Sequence, residues 1–141
     1  MKPDVKIALE APPEKQTLSD LGDGLRRYNE SFTGPERGAE FVVTARDENG
    51  KFLGGVYCDF YWSALFVKWV WLDGDLRKRG LGAKLLADAE AEGKRRGAKM
   101  VHLDTFSFQA RGFYEKYGYR VFGTLDYPGT NFQRFYMSKA L

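Results

Sequence analysis

The chain has 141 residues, 43% hydrophobic and 29% charged, a balance that excludes disorder and suits one globular domain, 1–141, with its own core. A net charge of +3 gives no support to a nucleic-acid partner, although cations gather at Arg77–Arg79 and Lys94–Lys99. The lone cysteine, Cys58, excludes an internal disulfide and points to a reducing compartment; with no histidine nearby in sequence, it reads as a small strand residue rather than a nucleophile.

Met1–Pro13 has no apolar signal-peptide core and carries Pro3, Pro12 and Pro13. The longest apolar run, Tyr61–Leu72, is broken by Lys68 and falls far short of the ~20 residues of a membrane helix. A soluble, cytoplasmic protein without a membrane partner is expected. Val5–Glu10 alternates like an edge strand. Leu18, Leu21, Leu25 and Tyr28 recur at helical spacing and predict a helix over Leu18–Phe32, with Thr17 or Ser19 as N-cap. After a loop at Gly34-Pro35 and Gly38, Phe41–Arg46 and Lys51–Trp62 read as strands joined through Asp47-Glu48-Asn49-Gly50, a strong hairpin signal. Ala64–Leu72 is almost continuously apolar, as a central strand should be.

Leu81, Leu85, Leu86 and Ala89 form a helical stripe that ends at Gly93 or Gly97. Lys99–Thr105 is then a strand reached through a helical crossover, hence parallel to the one before it. Phe108–Tyr117 is predicted helical, capped by Ser107 and stopped by Gly118. Tyr119–Leu125 and Phe132–Lys139 close the chain as a hairpin-like pair around Tyr127-Pro128-Gly129. The fold class is therefore α/β with a mixed sheet whose front strands are antiparallel.

Chemistry concentrates at Leu76-Arg77-Lys78-Arg79-Gly80-Leu81-Gly82-Ala83, where a buried strand passes through a basic glycine turn into a helix. Such a junction gathers unpaired N–H groups and a helix N-terminus around one point, a setting that holds phosphate or pyrophosphate. The Rossmann pattern fails because Leu85 stands where its third glycine belongs, and no Walker A sequence is present. What remains, R-x-x-G-x-G at Arg77, Gly80 and Gly82, resembles the acetyl-CoA pyrophosphate loop, [Q/R]-x-x-G-x-[G/A], of the GNAT superfamily of N-acetyltransferases. Downstream, Ser107–Tyr119 is similar to the second signature of that family, N-x-x-A-x-x-[FL]-Y-x-K-x-G-[FY]. Ala110, Phe113, Tyr114, Lys116, Gly118 and Tyr119 match in register, whereas Ser107 replaces the Asn.

The resemblance covers nearly the whole chain and implies a GNAT-like domain using acetyl-CoA as cosubstrate. It implies that Lys78, Arg79, Gly80, Leu81, Gly82 and Ala83 hold the pyrophosphate on backbone amides, with Arg77 and Arg79 adding charge. It implies that backbone N–H groups of Val70 and Leu72, on either side of Trp71, face the pantetheine and the thioester, although both could instead be ladder-paired core residues. Ser107, or Gln109 in its stead, is the expected pantetheine contact. Tyr114 is the expected general acid, since a phenol titrating near ~10 is protonated at neutral pH; aromatic packing beside Phe113, Tyr117 and Tyr119 is its other reading.

For a general base the sequence offers Asp59, Tyr61, His102 and Asp104, or a water chain. No metal site is expected. The implied reaction is acetyl transfer to a primary amine of a small molecule, because no added segment builds a peptide platform. A protein or peptide N-acetyltransferase and a non-catalytic CoA-binding module stay open, as does a homodimer, common among such folds.

Overall fold

The turn at Asp47–Gly50 sets the register of the front half of the sheet. Asp47 Oδ1 accepts the N–H groups of Asn49 (2.8 Å) and Lys51 (2.9 Å), and Gly50 adopts φ +83°, which a side chain would disfavour. This hairpin joins β1 (Ala39–Arg46) to β2 (Phe52–Tyr61), and β3 (Ala64–Leu72) returns antiparallel to β2. The computed structural model describes residues 4–35 and 38–141, and the chain divides into two compact units, 1–36 and 37–141.

The first unit is built on α1 (Lys15–Thr33), which carries Leu18, Leu21, Leu25, Tyr28 and Phe32 as one apolar stripe. The strand expected over Val5–Glu10 is not formed: the segment enters no ladder. Its last residue serves the helix start, with Glu10 Oε1 accepting the Glu14 N–H (3.2 Å) and Oε2 the Thr17 hydroxyl (3.1 Å). Thr17 and Ser19 are thus inside the helix and the cap position is Glu14, directly after Pro12-Pro13, which stops the helix extending upstream.

In the second unit the six strands lie in the order β1-β2-β3-β4-β6-β5, so β3 is internal as expected. β4 (Met100–Phe106) pairs parallel with β3 after the crossover helix α2 (Leu81–Arg95), and β6 (Gln133–Ala140) lies antiparallel between β4 and β5 (Arg120–Asp126). α2 buries Leu85, Leu86, Ala89 and Gly93 on the sheet. A Cβ at Gly93 would meet Leu65 Cδ2 at 2.8 Å, so this glycine sets the close approach of helix to strand rather than the helix end. The helix stops two residues later. Gly97, at φ +99°, donates to Lys94 O (3.0 Å) and Ala98 to Gly93 O (2.9 Å), which satisfies carbonyls of the last turn.

The last helix, α3 (Arg111–Lys116), is shorter than predicted, and Ser107 is not its cap. Residues 107–109 form a turn instead, with the Gln109 N–H on Phe106 O (2.8 Å). Ser107 is engaged with β6: its N–H donates to Gln133 O (2.8 Å) and its Oγ accepts the Gln133 N–H (3.0 Å). Gly118, at φ +95°, ends α3 as predicted, with Tyr119 N–H reaching back to Tyr114 O (3.1 Å). The core lies on the α2 face of the sheet, where Val56, Leu65, Val101 and Met137 pack under Leu85, Leu86 and Tyr114. By strand alternation Tyr57, Phe66, His102 and Tyr136 point to the opposite face.

Candidate active site

The site originates in one irregularity of β3. Tyr57 pairs with Trp69 and Cys58 with Val67, leaving Lys68 without a ladder partner on β2. The parallel ladder to β4 ends at the same place, at Val67 opposite Leu103. A bulge bends its strand and increases the local twist. From Lys68 onward, therefore, β3 leaves β4, and the edges of the two strands face each other across an open gap.

Which backbone groups face that gap follows from alternation. The Asp73 N–H donates to Leu53 O on β2 (2.8 Å), so the N–H of Trp71 points the same way, whereas those of Val70 and Leu72 point towards the gap. Leu72 O agrees, since on the gap side it accepts Nε of Arg77 (3.1 Å). Arg77 is thereby tied to the end of the splayed strand.

The glycine turn closes the gap at one end. Gly80 sits at the N-cap of α2 with φ +73°, and no atom lies within 4 Å of a Cβ built there, so its requirement is conformational. Gly82 is already helical and borders the cleft, with Phe113 Cζ at 3.7 Å from a built Cβ; its requirement is open space. The first N–H to bond within α2 is that of Lys84, to Gly80 O (3.2 Å), so those of Leu81, Gly82 and Ala83 precede it without intrahelical acceptors. Lys78 and Arg79 stand exposed beside them. Unspent amides, the positive end of α2 and adjacent cations fit the diphosphate of coenzyme A.

The resulting cleft, about 840 Å³, runs from Arg77, Gly82 and Phe113 past Tyr114 to Asp104 and Arg134. It crosses the sheet between β3 and β4. Gly82, Phe113 and Tyr114 border it on the α2 face, while Phe66, Asp104, Phe106 and Arg134 alternate onto the opposite face.

Tyr114 is only 6% exposed, its ring held edge-on by Phe113 (5.3 Å) and Tyr119 (5.6 Å). No buried side-chain polar atom among the described residues lacks a partner, and the Tyr114 hydroxyl bonds to none of them, so the hydroxyl is the part of this side chain that reaches the open cleft. Burial, with the Asp104 charge, pushes the phenol up to about 12, so it carries its proton throughout the physiological range.

Gln109 holds the end of β4. Its Oε1 accepts the Phe106 N–H (2.6 Å) and the hydroxyl of buried Thr105 (3.2 Å), and Thr105 Oγ1 in turn accepts the Ala110 N–H (3.3 Å). A backbone N–H can only donate, so the oxygen is fixed there and the amide NH2 is left at the cleft wall. Ser107 lies outside that wall, its hydroxyl held by Gln133.

Of the four candidate bases only Asp104 borders the cleft. Asp59 is paired with Lys68 (3.2 Å), and Tyr61 ends β2 beside Gly38. His102 stacks on Phe66 at 4.7 Å, and burial holds it below its usual range against the opposing pull of Asp104. Cys58 is fully buried and its thiol is pushed up to about 12 by burial, an inert core residue. Arg134 escaped the sequence reading because its partner Asp104 lies 30 residues away, and only the β4–β6 register puts both on one face.

The acetyltransferase (GNAT) family model matches residues 7–119. The chain belongs to the GNAT acetyltransferase family. It is 35% identical over 120 residues to blasticidin-S acetyltransferase of Streptomyces morookaense, covering 82% of this chain and 88% of that protein. It is 30% identical over 105 residues to an acetyltransferase of Agrobacterium fabrum, covering 74% and 77%. Among solved structures, an acetyltransferase from Bacillus cereus superposes with a TM-score of 0.84 at 28% identity, over 96% of this chain and 98% of that one. Acetyl-CoA is the acyl donor of the GNAT acetyltransferase family. The mixed sheet expected from the sequence is observed, with six strands rather than seven because Val5–Glu10 does not join it.

Proposed function

We propose that the protein transfers the acetyl group of acetyl-CoA to the primary amine of a small molecule by direct attack, with Tyr114 as general acid. The observation that carries this reading is the coincidence at one cleft of three features: the splayed β3 edge, the glycine turn and the Tyr114 hydroxyl. The small-molecule acceptor is supported by the blasticidin-S acetyltransferase relative.

Bound acetyl-CoA supplies an activated acyl thioester. The amides of Lys78 and Gly80–Ala83 hold its diphosphate, that of Arg79 being spent on Leu76 O (3.2 Å), and Arg77 positions the end of β3 through Leu72 O. The Gln109 amide, rather than Ser107, meets the pantetheine arm. The Val70 N–H, aimed into the gap, donates to the thioester oxygen as negative charge grows there under amine attack. The amine nitrogen gives up a proton to water as the amide forms, and the Tyr114 hydroxyl donates its proton to the thiolate as the carbon–sulfur bond breaks.

A thiol-release screen over amines, amino acids, polyamines, aminoglycosides and peptides tests the proposal. Release with one or more small amines is expected. Release with peptides alone would make the enzyme a peptide acetyltransferase, and coenzyme A binding without release by any acceptor would leave a binding module.

A further inference from the structure

Charge at the far end of the cleft is unevenly spent. Three cations border the cleft: Lys68 is paired with Asp59 (3.2 Å) and Arg134 with Asp104, while Arg77, at the glycine-turn end, gives its Nε to Leu72 O (3.1 Å). Both Arg134 contacts with Asp104, Nε at 2.9 Å and Nη2 at 2.8 Å, go to the same oxygen, Oδ1. Among the described residues Oδ2 takes no hydrogen bond. Asp104 is also the one carboxylate among the cleft's described lining residues, so the unspent charged acceptor there is negative.

The walls around Asp104 are rings. Phe66 stacks on His102 at 4.7 Å, Phe106 on Phe108 at 5.4 Å, and the Arg134 guanidinium lies 5.3 Å from the Phe106 ring. Trp69 and Trp71 border the same cleft and are 70% and 51% exposed, large apolar faces with room for a ligand. A negative oxygen framed by aromatic faces suits a cation, which gains an ionic hydrogen bond and cation–π attraction together. It disfavours an anion, because the two cations at that end, Lys68 and Arg134, are both paired with carboxylates. Flat exposed rings favour a flat partner, because offset stacking adds to the area buried.

We propose that Asp104 is the anchor for the acceptor, and that the acceptor class is a cationic amine carried on a planar ring body. This rests on the acetyl-transfer reading for the identity of the ligand as acceptor, but not for its binding. The ammonium binds through Asp104 Oδ2, on the side of the sheet opposite the glycine turn, and gives a proton to water before the neutral amine attacks; the ring lies among Phe66, Phe106, Phe108 and Trp69. Arg134 is a positioning residue: it holds Oδ1 and leaves Oδ2 for the ammonium.

Four probes separate charge from shape: benzylamine, benzyl alcohol, phenylacetate and n-hexylamine, titrated into the coenzyme A-loaded protein and followed by quenching of Trp69 and Trp71. Benzylamine is expected to bind at least 10-fold tighter than each of the other three. Asp104→Asn, which keeps the amide oxygen for Arg134, is expected to weaken benzylamine at least 30-fold while coenzyme A affinity stays unchanged. Equal binding of phenylacetate or benzyl alcohol, equal binding of n-hexylamine, or an Asp104→Asn protein with unaltered benzylamine affinity would each overturn the proposal. Asp104-dependent binding of benzylamine without thiol release from acetyl-CoA would sink the transfer reading and leave this one standing. Thiol release with amines whose KM is indifferent to Asp104→Asn would do the reverse.

Discussion

Tyr114→Phe isolates the chemistry of one hydroxyl. The ring sits against Phe113 and Tyr119, and phenylalanine keeps both contacts. The hydroxyl has no partner among the described residues, so its removal costs no internal hydrogen bond, and stability should shift by less than about 1 kcal/mol. Loss of proton donation to the departing thiolate should lower kcat by about 10²–10³, equivalent to about 3–4 kcal/mol of transition-state stabilisation. Affinity for acetyl-CoA should change little. Because burial and Asp104 place the phenol at about 12, deprotonation of Tyr114 cannot generate a basic limb between pH 8 and 10. Any such limb in the parent should persist in the variant. Single-turnover transfer monitored by rapid quench separates the chemical step from product release. A Tyr114→Phe protein that matches the parent in that assay across pH would make Tyr114 a packing residue and refute the acid assignment.

The two glycines of the turn should fail in different ways: Gly82→Val keeps the fold but loses coenzyme A affinity by at least about 100-fold in calorimetry. Gly80→Ala, forced to hold φ +73°, lowers unfolding stability by about 1–2 kcal/mol. Glu90 accepts the Tyr119 hydroxyl (2.6 Å) and the Lys139 ammonium (2.7 Å), linking α2 to β6, so Glu90→Ala should cost about 2–3 kcal/mol in urea unfolding. His102 is held below its usual 6.5 by burial, so protons bind the unfolded state first. Its contribution is neutral above that value and becomes destabilising as pH falls through it. His102→Gln should flatten this decline in denaturation midpoints, while leaving the acidic limb of the transfer rate in place because His102 does not border the cleft.

Local chemistry was legible from the sequence where a short stretch carries its own geometry. Asp47–Gly50 shows its turn because Asp47 and Gly50 need nothing beyond themselves to form it. The glycine turn and the stop at Gly118 were readable for the same reason, as left-handed backbone demands glycine. Val5–Glu10 misled because alternation shows which face of a strand would be apolar but not whether a partner strand exists. Ser107 misled because the residue that could cap a following helix is captured by Gln133, 26 positions away. The Asp104–Arg134 pair was invisible for a related reason: it exists only in the β4–β6 register.

The Lys68 bulge explains why the legible and the illegible parts meet at one place. A regular β3 would bond to β4 along its length, and the N–H groups of Val70 and Leu72 would be spent in the ladder. One unpaired residue on the β2 side bends the strand, and the parallel ladder ends at the same position. The gap so opened has two mouths, because strand alternation sends Asp104 and Phe106 to one face and Leu103 and Thr105 to the other. The glycine turn, next in the chain after β3, necessarily lies at the gap's end, and Tyr114, following β4, lies across it. Donor and acceptor can therefore enter from opposite faces and meet between the strands without either having to pass the other. Filling the gap, by deleting Lys68 so that β3 and β2 pair without interruption, should restore ladder bonds to Val70 and Leu72 in amide-exchange measurements and remove coenzyme A binding. Retained binding with those amides protected would show that the splayed edge is not what receives the donor.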